Sequence, residues 1–132
     1  MKLKALFAYL TAIFVVCSCS PVFAIDTMNE LRPCALSSHC ARVDIKSNNL
    51  AHLFQQSLEA VQSLPRTEII EKNDIYIHAE AKTKLMHFVD DLEIKAISDK
   101  SLLQIKSESR VGLDDFGVNQ RRLDHLLESL SD

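Results

Sequence analysis

The sequence predicts an α+β fold in two layers, a four-stranded antiparallel sheet with two helices packed on one face. Three observations predict it. An apolar stripe of helical period runs between residues 48 and 65, a second lies at the C-terminal end, and alternating segments separated by turn residues fill the space between. Each helix has one apolar stripe and the sheet has one apolar face. A single shared core satisfies all three, and the other sheet face stays partly open to water.

The elements follow in chain order. Residues 1–24 read as a secretory leader. Lys2 and Lys4 start it, Ala5 to Val16 is almost wholly apolar, Pro21 breaks any helix, and Val22-Phe23-Ala24 offers small residues at a cleavage site. The apolar run is about a dozen residues, short of the ~20 that a spanning helix needs. Val16-Cys17-Ser18-Cys19 also resembles a bacterial lipobox, in which Cys19 would be acylated, so attachment to a membrane is expected only through that route. Cleavage after Ala24 removes two lysines and no acids from a chain with fifteen basic and eighteen acidic residues, and the mature net charge becomes −5. An exported acidic domain is a poor partner for nucleic acid.

Residues 25–47 read as an irregular arm pinned by Cys34 and Cys40. In an oxidising compartment two cysteines six apart most simply form a disulfide, and closing so short a loop contributes about 2–2.5 kcal/mol in the chain-entropy account. Free or redox-active thiols and a metal site with His39 are the alternatives. The remaining histidines (His52, His78, His87, His125) are scattered without a second paired ligand motif, so no metal and no cofactor are expected.

Residues 48–132 form the domain. Leu50, Leu53, Phe54, Leu58, Val61 and Leu64 lie on one helical stripe, capped by Asn48 or Asn49 and stopped by Pro65. Strands are expected over Thr67–Lys72, Ile75–Ala81, Phe88–Ile97 and Leu102–Val111. Asn73-Asp74 is the first hairpin turn, and two registers fit that hairpin. In the second, a two-residue loop at Asp99-Lys100 pairs Ala96 with Leu103, Ile94 with Ile105, Leu92 with Ser107 and Asp90 with Ser109 on the core face. It sets Glu93 opposite Lys106 on the open face. The loop tip Leu85-Met86 should fold onto the core, and His87 and His125 should be solvated. The last helix repeats Leu123, Leu126, Leu127 and Leu130, with Asn119 as N-cap and a Val118–Leu123 staple.

The chemistry-bearing stretch is Ser107 to Arg122, which holds both glycines of the protein, Gly112 and Gly117. A strand-to-helix turn of this kind can gather free N–H groups at a helix start, where an anion is favoured. Arg121 and Arg122 then fall in the first helical turn, unfavourable for a cation by about 0.3–1 kcal/mol each. Either Asp114 and Asp115 offset them or an anionic ligand does. A structural reading stands beside this one: Arg110 neutralises the like-charged pair Asp91 and Glu108, Asp115 caps turn amides, and Asn119 caps the helix.

Two functions follow. The first is a non-catalytic binding module of the cell envelope. Tyr76, His78, Asp91 and Arg110 form a mixed-charge patch beside a turn supplying Asp115, Gly117, Asn119 and Arg122, which together contact an anionic ligand or an envelope protein. The second is a small hydrolase-like enzyme using Asp90 or Asp91 with His78 as acid–base partners. No nucleophile elbow, His-Glu-x-x-His or phosphate-binding Walker loop occurs in the sequence. An enzyme predicts a concave pocket holding His78 within hydrogen-bond reach of Asp91, and a module predicts a shallow surface without one.

From Cys34 to the last helix the chain resembles the uncharacterised family catalogued as Domain of Unknown Function 1499, found in bacteria and plant chloroplasts. The resemblance is carried by Cys34 and Cys40, Tyr76-Ile77-His78-Ala79-Glu80, Phe88-Val89-Asp90-Asp91-Leu92-Glu93, Ser107-Glu108-Ser109-Arg110-Val111-Gly112, Asp115-Phe116-Gly117-Val118-Asn119 and Arg122. The chain departs from the usual pattern at Ala35, His39, Ala41-Arg42 and Lys106. The resemblance implies no activity, because the family has none established.

Overall fold

A computed structural model describes residues 29–131. The expected leader, with its expected cleavage site, and Cys19 lie outside the described residues. The elements are β1 (Cys40–Lys46), α1 (Leu50–Ser63), β2 (Thr67–Lys72), β3 (Tyr76–Lys82), β4 (Val89–Ile97), β5 (Leu102–Ser109) and α2 (Val118–Ser129).

The sheet has five strands, in the order β1-β5-β4-β3-β2, with every neighbouring pair antiparallel. The added strand is β1, inside the segment expected to be irregular. It pairs with β5 from Cys40↔Glu108 to Lys46↔Leu102. Its Ala41, Val43 and Ile45 join the core while Arg42 and Asp44 face the other way. That alternation is brief and abuts the cysteine loop, which is why it reads as part of an arm.

The β4–β5 register agrees with expectation at every predicted pair, from Asp90↔Ser109 to Ala96↔Leu103. Its turn is longer than predicted. Ile97↔Leu102 is the last pair, and Ser98–Ser101 form a tight helical turn closed by Ser101 N–H donating to Ser98 O, with Ser101 left-handed at φ 49°. The β2–β3 hairpin, for which two registers fit the sequence, changes register along its length. Thr67 to Ile69 pair in one frame, Glu71 and Lys72 in the next, and the shift falls at Ile70. Asn73 makes the turn through its side chain, accepting from Ile75 N–H at 3.0 Å.

Helix α1 begins at Asn49, whose side chain accepts from His52 N–H, and ends before Pro65. Its Phe54, Leu58 and Val61 pack with Ile77, Leu92, Ile94, Leu103 and Ile105 from the sheet and Leu123 and Leu126 from α2 in one core. Both helices therefore lie on one face. On the other, the N-terminal arm covers β1 and β5. Leu31 N–H donates to the buried Gln104 Oε1 at 2.8 Å, and Arg42 Nη1 donates to Leu31 O at 2.8 Å. The Cys34–Cys40 disulfide ties that arm to β1.

Three local expectations change. Helix α2 starts at Val118 behind Gly117, so Asn119 is inside the first turn and is not the cap, and the Val118–Leu123 staple loses its frame. Leu85 and Met86 do not fold onto the core: they are 85% and 67% exposed. The strands also trim at their ends, with β3 starting at Tyr76, β4 at Val89 and β5 ending at Ser109.

Candidate functional site

The residues singled out in the sequence divide into two clusters on opposite faces of the sheet, because strand side chains alternate. Asp91, Glu93, Lys106, Glu108 and Arg110 belong to the open face with Tyr76, His78 and Glu80. Asp90, Ser107 and Ser109 belong to the helix face, where Asn119, Asp115 and Arg122 meet them. The expected single site joining Arg110 to the Gly117–Asn119 turn is therefore two sites.

On the open face, Arg110 grips Asp91 through two nitrogens, Nε to Oδ2 at 2.8 Å and Nη2 to Oδ1 at 2.6 Å, and Nη2 also donates to Glu80. His78 Nε2 lies 2.7 Å from Asp91 Oδ1. Tyr76 donates its hydroxyl to Glu93 at 2.8 Å, and Lys106 Nζ sits 3.0 Å from both Glu93 and Glu108. The charges reinforce one another. Arg110, and after it His78, hold the Asp91 carboxyl below the usual carboxylate range against the burial that opposes them. Burial pushes Glu93 the other way, yet Lys106 and the Tyr76 hydroxyl bring its value down. Burial and the Glu93 carboxylate raise Tyr76 above its ordinary value, so the phenol stays a hydrogen-bond donor.

These side chains floor a groove of about 670 Å³ whose wall is the arm, from Glu30 through Leu31, Arg32 and Pro33 to Ala35. The lining carries four acids, Glu30, Asp91, Glu93 and Glu108, and four bases, Arg32, Lys95, Lys106 and Arg110. Among the described residues it contains no Ser, Thr or Cys. The condition set for an enzyme, a concavity with His78 in reach of Asp91, is met, and the shallow surface expected of a module is not what the strands and arm build. The arm residues escaped the sequence reading because nothing in the composition of Asp26–Arg32 marks a stretch that packs on a sheet. Glu80 was legible, two positions beyond His78 on the same side of β3.

On the helix face, Arg122 is held by Asp90, with Nη2 2.7 Å from Oδ2, and donates through Nη1 to Ser107 Oγ and Asn119 Oδ1. Asp90 is fully buried and Arg122 nearly so. Asn119, also fully buried, donates through Nδ2 to Ser109 Oγ, to His39 O and to Asp115 Oδ2. Asp115 caps the helix, accepting from Gly117 N–H at 2.7 Å and Asn119 N–H at 3.0 Å. Despite the burial that opposes them, those amides lower the Asp115 value. The cation at the wrong end of α2 is thus offset by Asp90, in place of the expected Asp114 and Asp115. Asp114 instead accepts from Phe116 N–H, and Arg121 donates to Phe116 O.

Both glycines take positive φ, 91° at Gly112 and 76° at Gly117, as the turn requires. His39 Nδ1 lies 2.9 Å from Gly112 O, so this ring fastens the cysteine loop to the turn. His87 is exposed in its loop, and His125 lies on the exposed side of α2 near Glu128. Among the described residues no three His, Cys, Asp or Glu side chains converge as a metal site, and no helix is long and apolar enough to cross a membrane.

The family model described as "Protein of unknown function (DUF1499)" matches residues 18–130. No curated protein matches the chain.

Proposed function

Since the chain belongs to this DUF1499 family, whose description assigns no activity, we propose that it is a non-catalytic binding module of the cell envelope that works through its open-face groove. The observation that carries this reading is the charge balance of the groove. Four acids and four bases line it, and Asp91, Glu93, Lys106, Glu108 and Arg110 hold one another in place. A surface of both signs suits a polar partner that presents complementary charges of both signs, and Arg110, 42% exposed but committed to Asp91 and Glu80, holds those acids in the arrangement the partner meets. The turn of Asp115, Gly117, Asn119 and Arg122 supports the groove from below by fixing the end of β5. Its guanidinium and amides are already occupied by Asp90 and Asp115. The leader and the disulfide support export, since disulfides persist in oxidising compartments.

The test compares envelope material co-purifying with wild type and with Arg110→Ala and Tyr76→Phe variants, alongside fractionation of cells making the full chain. Export to the envelope and a partner lost at least tenfold in Arg110→Ala, with the fold intact, are expected. An unchanged partner set, or retention in the cytoplasm, defeats the reading.

One observation favours a second reading, acid–base hydrolysis: His78 sits 2.7 Å from Asp91 inside the groove. Against it, both Asp91 oxygens are engaged by Arg110, which makes the carboxylate a weak base, and among the described residues no Ser, Thr or Cys lines the groove as a nucleophile. Turnover of p-nitrophenyl ester or phosphate substrates that disappears in His78→Gln would establish the enzyme.

A further inference from the structure

A separate concavity, of about 300 Å³, opens where three segments meet: the turn from α1 into β2 (residues 64–67), the end of β3 with the residues after it (82–84), and the first half of α2 (118–125). Leu64 and Val118 give it an apolar wall. Its charged side chains are all basic: Arg66, Lys82, Lys84, Arg121 and Arg122, with His125 beside them. Among the described residues no Asp or Glu lines it.

The composition runs against such a cluster. The chain has fifteen basic and eighteen acidic residues, so five bases meeting without an acid are not a fair sample of its surface. Asp90 neutralises Arg122. Arg66, Lys82, Lys84 and Arg121 form no ion pair among the described residues. Glu68 and Glu80 border the adjoining depression that Arg66 and Lys82 also touch, but neither pairs with them, and Glu80 is held by Arg110. Glu128 lies 3.9 Å from His125.

The two free guanidinium groups are positioned by neutral carbonyls. Arg66 Nε donates to Lys82 O at 3.1 Å, and Lys82 N–H returns a bond to Arg66 O at 3.0 Å. Arg121 Nη1 donates to Phe116 O at 3.0 Å, and Gly117 makes room for it, since a Cβ there would come within 3.0 Å of that nitrogen. These bonds fix the side chains, leave their charge uncancelled and leave other nitrogens of both groups to donate. A cleft of one sign with apolar walls focuses the field and concentrates counter-ions.

We propose that this pocket binds a phosphate group, carried by a soluble phosphorylated compound or by an anionic lipid headgroup. Four uncancelled cations exceed the single charge of a carboxylate. Their donors also arrive from three segments, which suits a tetrahedral group with oxygens on several sides better than two coplanar oxygens. The pocket shares no residue with the open-face groove and stands whether or not that groove has a partner.

The experiment titrates the protein, purified as cells make it, with pyrophosphate, inorganic phosphate and acetate in low-salt buffer, and maps the site by amide NMR. Saturable pyrophosphate binding is expected, with shifts at residues 64–67, 82–84 and 118–125, and acetate should bind roughly tenfold more weakly or worse. Lys82→Gln combined with Lys84→Gln removes two exposed charges that bond to nothing among the described residues. It should weaken pyrophosphate roughly tenfold at unchanged thermal unfolding. Lys46→Gln, on the opposite edge strand, should change it less than about twofold. Flotation with vesicles of phosphatidylcholine, with and without phosphatidylglycerol, separates the sources. Capture that requires phosphatidylglycerol and both lysines supports a lipid headgroup, and pyrophosphate binding without capture supports a soluble phosphate. Acetate binding as well as pyrophosphate, a double variant that behaves as wild type, an equal loss in Lys46→Gln, or no saturable binding to phosphate, pyrophosphate or phosphatidylglycerol overturns the proposal.

Discussion

Asp90 and Asp91 are neighbours in the chain, each paired with an arginine, and they live in different solvents. Asp90 is enclosed between sheet and α2 with Arg122, whereas Asp91 sits in the groove with Arg110, both partly exposed. One step along a strand turns a side chain to the other face, so a Asp-Asp dipeptide supplies one acid to the core and one to the surface. The chemistry is the same and the energetics are not. Breaking the enclosed pair strands a charge away from water, and breaking the groove pair returns two groups to solvent.

The sharpest way to break the contrast is Arg122→Met. It leaves Asp90 buried without its counter-ion and should cost about 3–5 kcal/mol, read as a shift in the urea midpoint at unchanged slope. Adding Asp90→Leu should recover much of the loss, because removing both partners leaves no stranded charge. A loss below about 1 kcal/mol would place Arg122 in a hydrated site and erase the distinction between the faces. Next in size, replacing both Cys34 and Cys40 by Ser should cost about 2 kcal/mol for so short a loop, measured the same way. The loss should be local to both clusters, since the loop sends Leu31 and Pro33 over the groove and gives His39 O to Asn119. Hydrogen exchange should accelerate in the arm and at the start of α2 together. Asp115→Ala comes third, at about 1 kcal/mol, the usual cost of a lost helix cap.

The sequence made much of this contrast legible. The β4–β5 register followed from alternation and one turn, and it alone put Asp90 beside Ser109 and Glu93 opposite Lys106. The pairing of Arg122 with Asp90 was not legible, because α2 begins two residues earlier than an Asn119 cap would set it, which turns Asn119 and Arg122 toward the sheet. Asp115 accepts from turn amides as the structural reading had it, and it also takes the capping role that the sequence assigned to Asn119. The groove wall was invisible for another reason. Leu31 and Gln104 meet across 73 positions of chain, and no local pattern encodes a contact between an irregular arm and a strand's polar face. The first hairpin's register, which the sequence left open, shifts at a bulge at Ile70.

The smallest effect belongs to Arg110→Ala, and pH exposes its origin. Asp91 and Glu93 both have folded values below their unfolded ones, so the stability they contribute is present above about pH 5 and lost as pH falls through the folded values. Arg110 is the leading cause of the Asp91 shift. Without it the Asp91 carboxyl, followed by carbon-13 NMR, should titrate closer to an ordinary aspartate. The stability gap between variant and wild type should be less than about 1 kcal/mol at pH 7 and should close as Asp91 protonates in acid. A gap that stays constant from neutral to acid pH would mean that Arg110 acts through the packing of its aliphatic stem. The groove pair would then owe its stability to burial as the Asp90 pair does, and the difference between the two faces would reduce to one of degree.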